Sequence, residues 1–257
     1  MGVRLPFHIL GTLRVVNDDV VDAPSAHKVT TLLATLLIRS NQVVSADQLL
    51  VELWGEHPPR RALAGLHVYV SQLRKFLATV LPGPERVLTR PPGYLIQVDG
   101  DEVDALVFRR LAHQGRNYMR AGRHEEASAA FAQALELSRE SVLDNLRESG
   151  IVARFATWVE ELRLECTEML VECDFILGRH RELVGFLHEL VAEHPLHEAF
   201  HRQLMLALYR CDRRADALGV YQAARETITS ELGLEPCRAM RELHHAILLG
   251  DDERLAV

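Results

Sequence analysis

The chain has 257 residues, 48% of them hydrophobic and 25% charged, with 10 prolines and 15 glycines, which excludes collagen-like, low-complexity and largely disordered proteins and leads us to expect two domains. No apolar run approaches the roughly 18 to 20 residues of a membrane helix, and the first thirty residues carry no export signal, so a soluble cytoplasmic protein without a membrane partner is expected. The formal net charge of −7 is uneven: residues 1–100 hold 10 Lys and Arg against 8 Asp and Glu, whereas residues 101–257 hold 19 against 28, an asymmetry that points to a nucleic-acid-binding N-terminal end.

From Pro6 to Val21 the chain is β-rich, with Phe7, Ile9, Gly11, Leu13 and Val15 on one parity and a turn at Asn17-Asp18-Asp19, a small antiparallel sheet. Ser25 is the expected cap of a first helix, in which Val29, Leu32, Leu33, Leu36 and Leu37 recur at helical spacing up to Arg39. Ser45 and Gln48 form a capping box at the start of a second helix, which carries Leu49, Leu50, Leu53 and Trp54 and stops at Gly55. Beyond the stiff Pro58-Pro59 loop, a third helix runs from Ala62 to Val80 and ends before Pro82-Gly83-Pro84.

In the third helix Ala62, Leu66, Val70, Leu73 and Leu77 form one apolar stripe and must face a core. The outward side then carries Ala64, His67, Val68, Ser71, Gln72 and Lys75, flanked by Arg61 and Arg74. Small residues let a helix approach a groove, Gln pairs with an adenine edge, and Arg or Lys neutralises phosphate. Strand-like segments Val87 to Thr89 and Tyr94 to Val98 follow, joined by Arg90-Pro91-Pro92-Gly93, a hairpin with a cation at its tip. Sheet, three helices and a final hairpin make a winged helix. Between Pro58 and Val98 the cations Arg60, Arg61, Arg74, Lys75, Arg86 and Arg90 are opposed by Glu85 alone.

After Asp99-Gly100-Asp101 the pattern is helical throughout. Three runs superpose without gaps, starting at Gly122, Gly178 and Asp212, and the interval of 34 between the last two is the tetratricopeptide period. Gly115, Tyr118, Ala127, Phe131 and Ala134 in the first unit, Pro195 in the second, and Ala217, Tyr221 and Ala224 in the third fall at that repeat's usual positions. The longer first interval implies an extra helix within Ile151 to Leu177, with a stripe of Val152, Phe155, Val159, Leu162, Cys166, Met169, Leu170 and Cys173. The fold class is therefore mainly α with a small β component: an N-terminal winged helix-turn-helix over residues 1–100 and an all-α tetratricopeptide-like domain over residues 101–257.

Leu53-Trp54-Gly55, Pro58-Pro59, the run Tyr69-Val70-Ser71-Gln72-Leu73-Arg74-Lys75 and the wing from Thr89 to Tyr94 resemble the OmpR-type winged helix. With the helical half, essentially the whole chain resembles the Streptomyces antibiotic regulatory protein family, which joins that winged helix to a bacterial transcriptional activation domain. The resemblance implies a pathway-specific transcriptional activator of antibiotic biosynthesis, found on the nucleoid and bound as a homodimer to direct repeats in double-stranded promoter DNA. By the same resemblance Gln72 reads bases, with Ser71, Arg74 and Lys75 near bases or backbone; Arg90 enters the minor groove, and Trp54 and Tyr94 touch phosphates. Arg60, Arg61, His67, Val68 and Thr89 complete the expected DNA-binding set. The loop of Glu56, His57, Pro58 and Pro59 is expected to touch the sigma factor or another subunit of RNA polymerase holoenzyme. Several relatives place arginine where this chain has Ser71 and Gln72, which implies a different base preference.

The competing readings are weaker. A tetratricopeptide adaptor whose winged helix binds protein would have little need for Arg74, Lys75 and Arg90 on a face almost without acids. A metal enzyme would draw on His194, His197 and His201, near Glu193 and Glu198, but Pro195 interrupts the segment and no H-E-x-x-H pattern occurs. His244-His245 lacks partner spacing, and no phosphate loop, dinucleotide fingerprint or nucleophile elbow is present. No enzymatic activity, cofactor or metal is expected. The four cysteines, Cys166, Cys173, Cys211 and Cys237, read as free thiols. Strands beginning within ten residues of Met1 leave no room for a receiver domain ahead of them, and the length leaves none for a nucleotide-hydrolysing module.

Overall fold

The computed structural model describes residues 5–17, 20–148 and 150–251. By packing, the chain divides into two compact units, residues 1–114 with 132–165 and residues 115–131 with 166–257.

The first unit opens with an antiparallel sheet of β1 (Phe7–His8), β2 (Arg14–Asn17) and β3 (Val20–Asp22), in that order. Asp18 and Asp19 of the expected turn lie outside the described residues. Phe7, Ile9, Leu13 and Val15, the apolar parity, are all at most 2% exposed. Helix α1 (His27–Ile38) is buried continuously from Val29 to Leu37. Its threonines tolerate this because their hydroxyls donate to backbone carbonyls, Thr30 to Pro24 and Thr35 to Thr31, both at 2.8 Å. Ser25 is not its cap: Ala26 holds that position without a side-chain hydrogen bond.

A short strand, β4 (Val44–Ser45), leads into α2 (Ala46–Trp54), and α3 (Ala62–Val80) follows. The hairpin of β5 (Val87–Arg90) and β6 (Gly93–Ile96) pairs through β6 with β4, giving the order β4-β6-β5. β4 carries only two paired residues, too short a run for a periodic signal.

Helix α4 begins at Asp104 and extends to Arg120. The Asp104 carboxylate, 3% exposed, accepts the backbone N–H groups of Ile9, Leu10 and Ala105 at 2.7 to 3.0 Å, joining the loop after β1 to the helix start. Burial pushes its carboxyl above the usual aspartate value, against the opposing pull of these N–H groups and of His8. After α5 (His124–Leu137), Glu140 accepts from the Arg14 guanidinium at 2.9 Å. A 3₁₀ turn over Asp144–Leu146 precedes α6 (Gly150–Ile176), where the Glu52 carboxylate of α2 accepts the Ile151 N–H at 2.8 Å.

The second unit is helical, and in it α7 (His180–Glu193), α8 (Glu198–Arg210), α9 (Arg214–Leu232) and α10 (Arg238–Leu249) pack in succession, α10 also against α8. The three superposable runs all fall on turns between consecutive helices. Gly122 and Gly178 have φ of +69° and +76°, and Asp212 takes the same left-handed conformation at +61°. In each turn the next residue's N–H closes on a carbonyl five positions back at 2.9 Å: Arg123 on Tyr118, Arg179 on Asp174 and Arg213 on Leu208. Gly115 lies against Phe131, whose ring would stand 2.5 Å from an added Cβ, so the small residue permits the close helix approach the repeat requires. Along α6 the expected stripe is buried at Val152, Phe155, Val159, Leu162, Cys166 and Cys173; Met169 and Leu170 are half-buried, and Val171 is buried in their stead. Among the described residues, no helix is long and apolar enough to cross a membrane.

Candidate nucleic-acid interface

The site grows from the capping box of α2. The Ser45 hydroxyl accepts from the Gln48 N–H at 3.2 Å, and the Gln48 side chain accepts from the Ser45 N–H at 3.3 Å, fixing where the helix starts. At its far end, Trp54 is half-buried and stacks on Tyr69 of α3, ring centroids 5.8 Å apart. The Lys28 ammonium stands 5.1 Å above the indole and donates to the Leu53 carbonyl at the end of α2. Lys28 thus belongs to the cationic surroundings of Trp54, a placement no local pattern shows because its partners lie on another helix.

Along α3, Ala62, Leu66, Val70, Leu73 and Leu77 are buried, as their spacing requires. His67, Val68, Ser71, Gln72 and Lys75 are all exposed, Val68 at 53%. Arg60 and Arg61 are exposed just ahead of the helix, and so is the whole loop from Glu56 to Pro59. An apolar, small and amide-bearing stripe with a cation at its C-terminal end therefore faces outward.

Arg74 has a different position from the rest of that face. Its Nε donates to the Val87 carbonyl at 2.9 Å and its guanidinium to the Thr89 hydroxyl at 2.9 Å, while Glu85 pairs with Nε at 2.8 Å. The side chain thereby ties α3 to β5, so the exposed stripe and the wing form one surface. Thr89 and Arg90 are exposed on that wing, next to each other in sequence, and Pro91 and Pro92 form its tip. Tyr94 is different again: paired with Val44 and Thr89 in the sheet, it is only 8% exposed. A hollow of about 350 Å³ lies beside the hairpin, lined among others by Arg74, Lys75, Leu81, Glu85 and Arg86.

The histidines weighed as metal ligands do not share a helix face. His194 ends α7, His197 precedes α8 and pairs with Glu168 at 2.7 Å, and His201 bonds the Pro195 carbonyl at 2.9 Å. Among the described residues, no three His, Cys, Asp or Glu side chains are gathered to hold a metal ion.

Comparison with known proteins agrees with this architecture. Residues 23–96 match the model of the transcriptional regulatory protein C-terminal family, and residues 103–248 match that of the bacterial transcriptional activator domain. The chain is 34% identical to the regulatory protein DnrI of Streptomyces peucetius over 253 residues, covering 96% of this chain and 93% of that protein. It is 35% identical to the transcriptional regulator RedD of Streptomyces coelicolor, covering 97% of this chain and 72% of RedD. The solved structure of Mycobacterium tuberculosis EmbR in complex with a low affinity phosphopeptide superposes with a TM-score of 0.91 at 34% identity, over 96% of this chain and 65% of that one.

Proposed function

The chain belongs to the Streptomyces antibiotic regulatory protein family and is a DNA-binding transcriptional activator, not an enzyme; from that premise we propose that it binds direct repeats in the promoters of a secondary-metabolite gene cluster as a homodimer and recruits RNA polymerase holoenzyme. In this reading residues 1–100 bind DNA, residues 101–257 form the activation domain, and the protein works in the cytoplasm on the nucleoid.

One observation supports the DNA face above all: the outward stripe of α3 is continuous with the wing through the Arg74 bridge to Val87 and Thr89. A helix with Ser71 and Gln72 outward fits a major groove, where Gln72 reads an adenine edge. Lys75, Arg60, Arg61 and the Trp54 indole meet phosphates, and Arg90 on the same rigid surface reaches the adjacent minor groove. His67, Val68 and Thr89 line the approach, and Tyr94 offers a phosphate the small part of its ring that remains exposed. Two such surfaces in the same orientation on one side of the duplex require repeats about one helical turn apart, roughly 10 to 10.5 base pairs. The loop of Glu56, His57, Pro58 and Pro59, exposed between α2 and α3, is the surface offered to the sigma factor or another polymerase subunit.

Footprinting on promoters next to the protein's own gene tests the arrangement, with two same-direction half-sites one turn apart as the expected result and a single or inverted site as the result against it. On the footprinted duplex, Arg90→Ala is expected to lower affinity by about 1 to 3 kcal/mol without changing the melting temperature. Unaltered affinity would remove the wing from the interface.

A further inference from the structure

We propose that Glu85 is a discrimination residue, a built-in counter-charge that keeps Arg74 off the DNA backbone so that the duplex is held by sequence-reading contacts. The inference rests on the DNA face proposed above and concerns the regulation of that same face.

Glu85 is the only acid between Pro58 and Val98, a stretch with six cations. It is not an isolated surface charge, because its Oε1 lies 2.8 Å from the Nε of Arg74, the residue that joins the reading helix to the wing. The Glu85 side chain is 57% exposed and that of Arg74 is 32% exposed, so the pair adds little to folding stability and the fold alone gives no reason for a carboxylate here. Its neighbours in the hollow sharpen the point. Arg86 is already engaged by both oxygens of Glu102 at 2.8 Å, which leaves Arg74 and Lys75 as the cations Glu85 acts on.

The guanidinium of Arg74 is met by a carboxylate, a carbonyl and a hydroxyl. Held this way, it spends its hydrogen bonds on wing geometry instead of on whichever phosphate comes near. Binding to arbitrary DNA depends almost wholly on neutralised phosphates and the counterions they release, so a cation withheld from that pool weakens arbitrary binding directly. Binding to the cognate site adds base-edge contacts that do not depend on the Glu85 charge and that need the wing held in register with α3. Removing the charge frees Arg74 for any phosphate, and in the cognate complex part of that gain is lost again as the wing loosens. The ratio of cognate to arbitrary affinity therefore falls.

The test compares the full-length native chain, Glu85→Gln and Lys75→Ala on a mixed-sequence duplex and on a duplex selected by the native chain, titrated from 50 to 200 mM salt. Glutamine matches glutamate in size but carries no charge, so the variant removes the electrostatic hold on Arg74 without opening a gap where Glu85 stood. On the mixed duplex Glu85→Gln is expected to bind several-fold tighter at 50 mM salt, with a log–log salt slope steeper by about one, so that its advantage shrinks roughly fourfold by 200 mM. Its cognate-to-mixed affinity ratio is expected to drop, and Lys75→Ala is expected to flatten the slope by about one. A flatter slope for Lys75→Ala with Glu85→Gln indistinguishable from native overturns the role of Glu85 and leaves the DNA face standing. If neither variant changes the slope, the face itself is misplaced and the proposal falls with it.

Discussion

Asp104 joins the loop after β1 to the start of α4 within the first unit. A buried carboxylate is costly in itself, and it is tolerated here because three backbone N–H groups converge on it. Asp104→Ala leaves those donors without an acceptor in a site closed to water, and a loss of roughly 3 kcal/mol or more in chemical denaturation is expected. A loss below about 1 kcal/mol would show that water or a neighbouring group replaces the carboxylate. Single residues of the proposed DNA face were legible wherever helical spacing decided them: Gln72 and Lys75 are exposed where Leu66, Val70 and Leu73 are buried, each on the expected side. Arg74 and Tyr94 were not legible in the same way. The surroundings of Arg74 come from Val87 and Thr89, 13 and 15 residues away, and those of Tyr94 from Val44, 50 residues away, separations which no local pattern records.

At the level of elements, local hydrogen bonding separates the expectation that held from the one that did not. Ser45 has Gln48 three residues on, so two donors are satisfied reciprocally and the start of α2 is fixed by four residues. Ser25 has the right chemistry for a cap, but Ala26 is still extended and the helix begins only at His27, while the Thr30 hydroxyl bonds to the Pro24 carbonyl ahead of it. The repeat turns carry a sharper rule. Gly122, Gly178 and Asp212 share one left-handed conformation, which disfavours side chains with a Cβ. Gly122→Ala and Gly178→Ala are each expected to destabilise the protein by about 1 kcal/mol, whereas Asp212→Gly is expected to be neutral or stabilising by a few tenths. Thermal melting of the three variants checks this, and equal losses for all three would mean that Asp212 is held by something other than the turn.

For the molecule as a whole, pH enters through imidazoles of the second unit, His201 buried and His180 and His244 half-buried. Burial lowers the pKa of His180, His201 and His244 below the ordinary 6.5, with Arg210 adding to the effect at His180 and His245 at His244, while the Pro195 carbonyl opposes it at His201. The unfolded chain binds protons at these positions before the folded one does, so stability is full above pH 6.5 and declines as pH falls toward the depressed folded values. Asp104, with its raised pKa, has the opposite sign, favouring the fold below the ordinary aspartate value of 3.8 and losing that advantage as pH rises through its folded value. Relative to the native chain, His201→Phe is expected to raise the denaturation midpoint at pH 5.5 compared with that at pH 7.5, because it removes the imidazole whose folded pKa is depressed. The clamp on the first sheet has a consequence in time. The N–H groups of Ile9 and Leu10 are bonded 95 and 94 residues downstream, and Arg14 is bonded 126 residues downstream. During synthesis these strands must wait for chain made later, so they are locked after much of the unit that follows them, and a nascent chain stalled before Asp104 carries an unfinished edge.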